Sequence, residues 1–197
     1  MSVFQYNLAK TELLTQLLSR RSYWPLVGPV PTEDELHQVF EATMRAPDHS
    51  NLKPWRFFTI QGEALSALGD IFAAAAVKRG DDDNGDRSRR QAVAAPMIIA
   101  VGARIYDDER VPEVEQILSV GAAAMNLLNA LHLFGYGAYW ATGPNAYDPD
   151  VRNALGLKEA SDQLLGFIYV GSPSKQRAPK VRPSSETLVT PWSHSLA

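Results

Sequence analysis

Apolar positions near the start of the chain recur at helical spacing. Leu13, Leu14, Leu17 and Leu18 predict a helix over residues 8–20. A second helix has a clear beginning, because Thr32 followed by Glu35 forms a capping box and Leu36, Val39, Phe40, Thr43 and Met44 make one stripe. It ends near Arg45 and Ala46, since Pro47 disfavours helical geometry in the residue before it. The period then changes. Residues 55–60, aromatic and β-branched after Pro54, predict a strand, and Gly62 opens an alanine-rich helix to about Arg79. Residues 80–90, strongly polar with two glycines, read as a solvated loop leading into a short helix. The continuous apolar run 96–102 predicts a strand covered on both faces. A long helix follows from Pro112 to Phe134, with Gly135 as its C-cap. Strands over residues 137–142 and 164–170 flank a short helix opened by Asp148 and Pro149.

Past Gly171 the periodicity stops. Pro173, Pro179, Pro183 and Pro191 punctuate a tail that cannot build a core of its own, and its Leu188, Val189 and Trp192 suggest docking on another surface. The order of elements implies an α+β fold, a mixed three-layer α/β sandwich with helices on both sides of a central sheet. A single domain spans residues 1–197, with residues 172–197 as an extended C-terminal arm.

Composition narrows the function classes. The chain has 197 residues, 45% of them apolar and 21% charged, with a net charge of −3, so it reads as an ordinary globular protein with no basic surplus for nucleic acid. Cysteine is absent, which excludes disulfides, thiolate ligands and a cysteine nucleophile; any redox chemistry needs a bound cofactor. The N-terminal residues lack the layout of a signal peptide, and the apolar segment 120–134 is shorter than the ~20 residues of a bilayer span, so a cytoplasmic protein without membrane contact is expected.

Common nucleotide fingerprints are missing, as is the G-x-S-x-G elbow. His37, His49, His132 and His194 show no zinc-binding spacing, and no metal is expected. Three constellations remain. Arg20, Arg21 and Ser22 offer two guanidiniums and a hydroxyl suited to a phosphate, although cations ending a helix also complement its dipole. Between Pro47 and Pro54 lies the polar loop DHSNLK, in which Asp48 and Ser50 suit local turn bonds while Arg45, His49, Asn51 and Lys53 have no evident structural task. Trp140, Ala141 and Thr142 end a strand in a small-residue turn that a flat ligand could approach, or that is an ordinary strand exit.

Together these segments resemble the nitroreductase family of FMN-dependent oxidoreductases, and the smaller NAD(P)H nitroreductases in particular. The features stand in the family's order: RRS after the first helix, the P-x-x-x-N-x-x-P-W loop after the second, a small-residue helix leading through GYGAYWATG, and a late strand ending in GSP. The resemblance implies a homodimer with FMN at each subunit interface, a mixed central sheet, and a C-terminal arm wrapping the partner. It places Arg20, Arg21 and Ser22 at the flavin phosphate and ribityl chain. Arg45, His49 and Asn51 belong to the pocket partly across the interface, and Trp140, Ala141 and Thr142 line the flavin. Lys175 or Arg177 is expected to add a phosphate contact. The implied activity is ping-pong hydride transfer from NADH or NADPH through flavin N5 to a small electrophile such as a nitroaromatic or quinone, with no catalytic side chain required and His49 as a candidate proton source. A non-catalytic flavin-binding or flavin-storage protein is the alternative. Three positions depart from the family pattern: Trp24 stands where a basic residue is common, and Asp48 and Lys53 replace a serine and a glutamine.

Overall fold

A computed structural model describes residues 3–81, 83–175 and 181–192, with side chains from Lys10 onward. The capping box forms as the sequence predicts. Thr32 accepts the Glu35 N–H at 3.3 Å, and Glu35 accepts the Thr32 N–H at 2.8 Å, opening α2, Glu33–Thr43. Those bonds, with one from the Tyr136 hydroxyl, hold the Glu35 carboxyl below its ordinary value. The first helix, α1, is Val3–Ser19 and so begins and ends earlier than predicted. Short strand β1, Leu26–Val27, has no counterpart in the sequence reading, because two residues carry no period.

Strand β2 is Trp55–Gln61, and Gly62 at φ 56 turns the chain into α3, Glu63–Arg79. Helix α4, Asp86–Ala92, follows the acidic loop. In that loop Asp83 accepts the N–H groups of Gly85 and Arg87, and no cluster of potential metal ligands exists among the described residues. Strand β3, Met97–Ala103, is buried at every residue, as its unbroken apolar run requires. Then come α5, Glu113–Leu133, and β4, Gly137–Ala141. Asp148 caps the short α6, Pro149–Ala154. Strand β5, Gln163–Pro173, outlasts the apolar pattern because its end pairs with β1.

All ladders of the five-stranded sheet are antiparallel, and β5 lies between β3 and β4. The sheet is mixed only through an isolated parallel bridge between Ser22 and Ala138. One face packs Met97, Ile99, Val101, Ile168 and Val170 against Val120, Leu127 and Leu131 of α5. The other packs Ile98, Ala100 and Phe167 against Leu68 and Phe72 of α3. Each of the larger of these side chains, removed from water, contributes about 1.5–3 kcal/mol. Helix α5 has the length and apolarity to cross a membrane, yet it is the core helix, and half of its most apolar stretch is buried.

One irregularity sets how closely β4 and β5 meet. The β3–β5 register shifts between Val101 and Gly102, where Val101 pairs with Gly166 but Gly102 pairs with Leu164. Leu165 is therefore the extra residue of a bulge. Gly166 has φ 125, and a Cβ there would lie 2.6 Å from the Ala141 carbonyl oxygen. Only glycine lets β4 approach this closely. The Leu165 carbonyl, turned by the bulge, accepts the Trp140 indole N–H at 3.2 Å.

Candidate functional site

Arg20, Arg21 and Ser22 follow the end of α1 and join the sheet directly, since Ser22 bridges Ala138 and the Tyr23 N–H donates to the Ala138 carbonyl at 3.1 Å. Both arginines are half-buried and Ser22 is exposed. The Arg21 guanidinium lies over the Tyr23 ring, 5.5 Å from its centroid. Burial, followed by the like charge of Arg182, lowers the Arg20 guanidinium below its ordinary value. The tail cation whose charge acts on Arg20 is Arg182, which sequence reasoning missed; Lys175 is exposed and Arg177 lies outside the described residues. Without a pattern in the tail, nothing in the sequence singled out Arg182.

At the other end of β4, a cavity of about 660 Å³ opens beside Ala141, Thr142 and Gly143. One wall is aromatic. Trp24 meets Tyr169 edge-on at 5.9 Å between centroids and Tyr139 at 6.1 Å, so the departure from the family's basic residue puts an indole on this wall. Burial, with a smaller contribution from Tyr139, pushes the Tyr169 hydroxyl up to about 12. The opposite wall carries Arg87 and Arg90 of α4, whose guanidiniums have no hydrogen-bond or ion-pair partner among the described residues. They too were missed, because only the packing of α4 beneath α3 turns them toward β4. Trp140 itself faces the α5 side.

Loop residues 46–54 form a different structure. Ser50, Asn51 and Lys53 have φ values of 58, 56 and 52, three non-glycine residues in left-handed conformation. Such conformations cost about 1 kcal/mol or more each and persist where surrounding bonds impose them. Asp48 imposes much of it. Its carboxylate accepts the Lys53 N–H at 2.8 Å, and its carbonyl accepts the Asn51 N–H at 3.2 Å. Arg56 donates to the Lys53 carbonyl at 2.8 Å and to the Tyr106 hydroxyl at 2.9 Å. Asp48 and Lys53, two of the departures, are therefore partners in one turn. Arg45 and Asn51 are exposed. His49 does have a partner, the Glu115 carboxylate 2.6 Å from its Nδ1.

These groups do not converge within one chain. Ser19, next to Arg20, meets His132 near the C-terminal end of α5, with Oγ 2.9 Å from Nε2. His49 meets Glu115 near its N-terminal end. Seventeen residues (132 − 115) separate the two anchors, roughly 25 Å of helix. The chain ties Arg20–Ser22, through the Ser22–Ala138 bridge, to the strand that ends in Trp140–Thr142, and holds Arg45, His49 and Asn51 elsewhere.

Residues 17–172 match the sequence model of the Nitroreductase family. Among curated proteins, the "putative NAD(P)H nitroreductase YdjA" of Escherichia coli K12 is 37% identical over 163 residues, covering 82% of this chain and 88% of that one. A nitroreductase-like family protein of Bacillus cereus superposes with a TM-score of 0.80 at 19% identity, over 91% of this chain and 95% of the other. A "putative nitroreductase" of Desulfovibrio desulfuricans, solved in complex with FMN, superposes with a TM-score of 0.69 at 25% identity, over 92% and 98%.

Proposed function

The chain belongs to the nitroreductase family, and on that premise we propose that it is a cytoplasmic, homodimeric FMN-dependent NAD(P)H oxidoreductase. The residues fit the cofactor. Arg20 is partly desolvated and feels the like charge of Arg182, a setting that a phosphate monoester would neutralise. The cavity beside Ala141 and Thr142 has room for a flat ring system, with an aromatic wall and two uncompensated guanidiniums. FMN, when bound, supplies a hydride acceptor and donor between reduced nicotinamide and a small electrophile such as a nitroaromatic or quinone.

The protein's part is holding and polarising. Arg20, Arg21, Ser22 and Arg182 grip the phosphate and the ribityl chain. Ala141 and Thr142 at the end of β4 line the ring, held rigid by the Gly166 bulge, while Trp140 packs on the α5 side. Arg87 and Arg90 set positive charge against the ring and favour its electron-rich form, a task for which Trp24 has no charge to offer. Donor and acceptor take turns in the one cavity, which is a ping-pong arrangement.

A two-fold dimer would complete the site. Val114, Leu118, Met125 and Leu133 form an exposed apolar stripe on α5, and space is open where Gly121 lacks a Cβ. The midpoint between residues 115 and 132 lies at Ala123 and Ala124. A two-fold axis there, with the α5 helices antiparallel, carries Arg45, His49 and Asn51 of one protomer toward Arg20–Ser22 of the other. Leu13, Leu14, Leu17 and Leu18 of α1 and Leu188, Val189 and Trp192 of the arm, all exposed, extend the apolar surface such a dimer would cover.

The observation that carries this reading is the Ser22–Ala138 bridge, which fixes the arginine pair to the same strand that borders the cavity. The test is the absorption spectrum of the purified protein before and after anaerobic addition of NADH or NADPH. A yellow protein whose flavin bleaches is expected. A colourless protein that takes up no FMN overturns the proposal, and flavin that binds but stays oxidised would favour the storage reading.

A further inference from the structure

We infer that Glu115 is a positioning residue for His49, fixing which imidazole nitrogen the 46–54 loop presents to the cofactor. The inference rests on the FMN reading above. Its ground is geometry. Glu115 Oε2 lies 2.6 Å from His49 Nδ1, so Nδ1 carries the proton and donates to the carboxylate. Nε2 is left as the outward nitrogen, with no hydrogen-bond partner among the described residues.

Both ends of this contact are held. Glu115 sits in the first turn of α5, where its neighbour Gln116 is buried and locked by bonds to Tyr106 and Val111. His49 sits in a loop whose left-handed residues are fixed by Asp48 and Arg56. A surface pair of this exposure adds little stability, yet two constrained backbones converge on it. That is the arrangement expected where orientation is the purpose of the contact.

The charged groups around His49 point the same way. From α5 comes Glu115. From the 104–112 segment comes Asp108, whose carboxyl lies below its ordinary value chiefly because of Arg110, with a smaller contribution from His49. On the loop itself, Asp48 is occupied by the Lys53 N–H, and the cations are Arg45 and Lys53. Two carboxylates thus act on the ring, Glu115 directly at Nδ1, and Nε2 is left as the polar atom turned toward the cofactor.

The experiment measures FMN dissociation from the full-length dimer by fluorescence for wild type, Glu115→Gln, His49→Ala and the double variant. Glu115→Gln keeps an acceptor but loses the charge. It should weaken binding about three- to tenfold, because a charge-assisted bond that orients the ring becomes a neutral one. In the His49→Ala background the same substitution should change nothing further. Additive effects, or a Glu115→Gln affinity equal to that of the wild type, overturn the inference while leaving the FMN reading intact. If wild type binds no FMN, both fall. Circular dichroism and gel filtration confirm that each variant is folded and in the wild-type oligomeric state.

Discussion

The two groups of candidate cofactor residues differ in how their geometry is made. Trp140–Thr142, at the far end of β4, and Arg20–Ser22, near the C-terminal end of α5, take their places from long-range pairing: the Ser22–Ala138 bridge, the β4–β5 ladder, and a bulge whose glycine admits the Ala141 carbonyl. Near the N-terminal end of α5, the 46–54 loop shapes itself, with Asp48 bonding residues three and five positions on. The first group is rigid because the sheet is rigid. The second is rigid only as far as a few local bonds hold left-handed residues in place.

The largest effect should come from separating the groups genetically. Arg20→Ala with Arg21→Ala removes two guanidiniums from the phosphate end. Charge-assisted bonds are worth about 1.5–3 kcal/mol each, so FMN should bind at least about a hundredfold more weakly. Unchanged retention would show that the phosphate end is misassigned. Arg45→Ala with His49→Ala should also lose flavin. Refolding the two double variants as a mixture should restore about a quarter of the sites, because half the dimers are mixed and each of those carries one complete site. No restoration would mean that each site is built within one chain.

Tyr169 gives the next effect, and it belongs to the sheet-built group alone. Its hydroxyl is raised in the folded protein to about 12 from the usual 10. The neutral phenol is therefore favoured by folding, and the stability this provides is complete below pH 10 and lost as pH rises toward 12. Two pH units correspond to about 2–3 kcal/mol. Tyr169→Phe should flatten the fall in stability between pH 9.5 and 12 in denaturant titrations. A wild-type curve with no fall assignable to Tyr169 would mean that its hydroxyl is solvated.

Gly166→Ala probes the same group from the backbone side. With φ at 125 and a backbone oxygen 2.6 Å from the new methyl, the substitution should cost about 2 kcal/mol or more. It should also shift the Trp140 fluorescence, since the indole is bonded to the adjacent Leu165 carbonyl. A variant with wild-type stability and emission would show that β4 yields easily here.

This difference also governs what the sequence could reveal. The loop was readable because its causes are local: Asp48 makes the turn bonds and Pro54 starts the strand, while α2 stops at Thr43, two residues before the Arg45 and Ala46 end that Pro47 predicts. The α2 capping box, the buried run of β3 and the Asp148 cap were readable for the same reason. Arg87, Arg90 and Arg182 were not, since each reaches its place through the packing of distant elements. The bulge at Leu165 leaves no trace in composition, and β1 is too short to have a period. Glu115 was passed over because an acidic residue opening a helix already has a sufficient reason to be there.

The smallest effect tests whether the loop's shape is as local as its bonds suggest. Asp48→Ala removes the acceptor for the Lys53 N–H and should cost about 1 kcal/mol, or about 3 °C in melting temperature for a chain of this size. The mechanism makes a sharper demand. If the cost arises because Lys53 must be held at φ 52, then glycine at that position, which adopts the conformation freely, should remove much of the need for Asp48. Asp48→Ala should therefore destabilise a Lys53→Gly protein by less than half as much as the wild type. FMN affinity should follow the same order, because a relaxed loop carries His49 away from Glu115. Equal destabilisation in both backgrounds would mean that the loop is held by contacts beyond its own residues, and the contrast with the sheet-built group would then disappear.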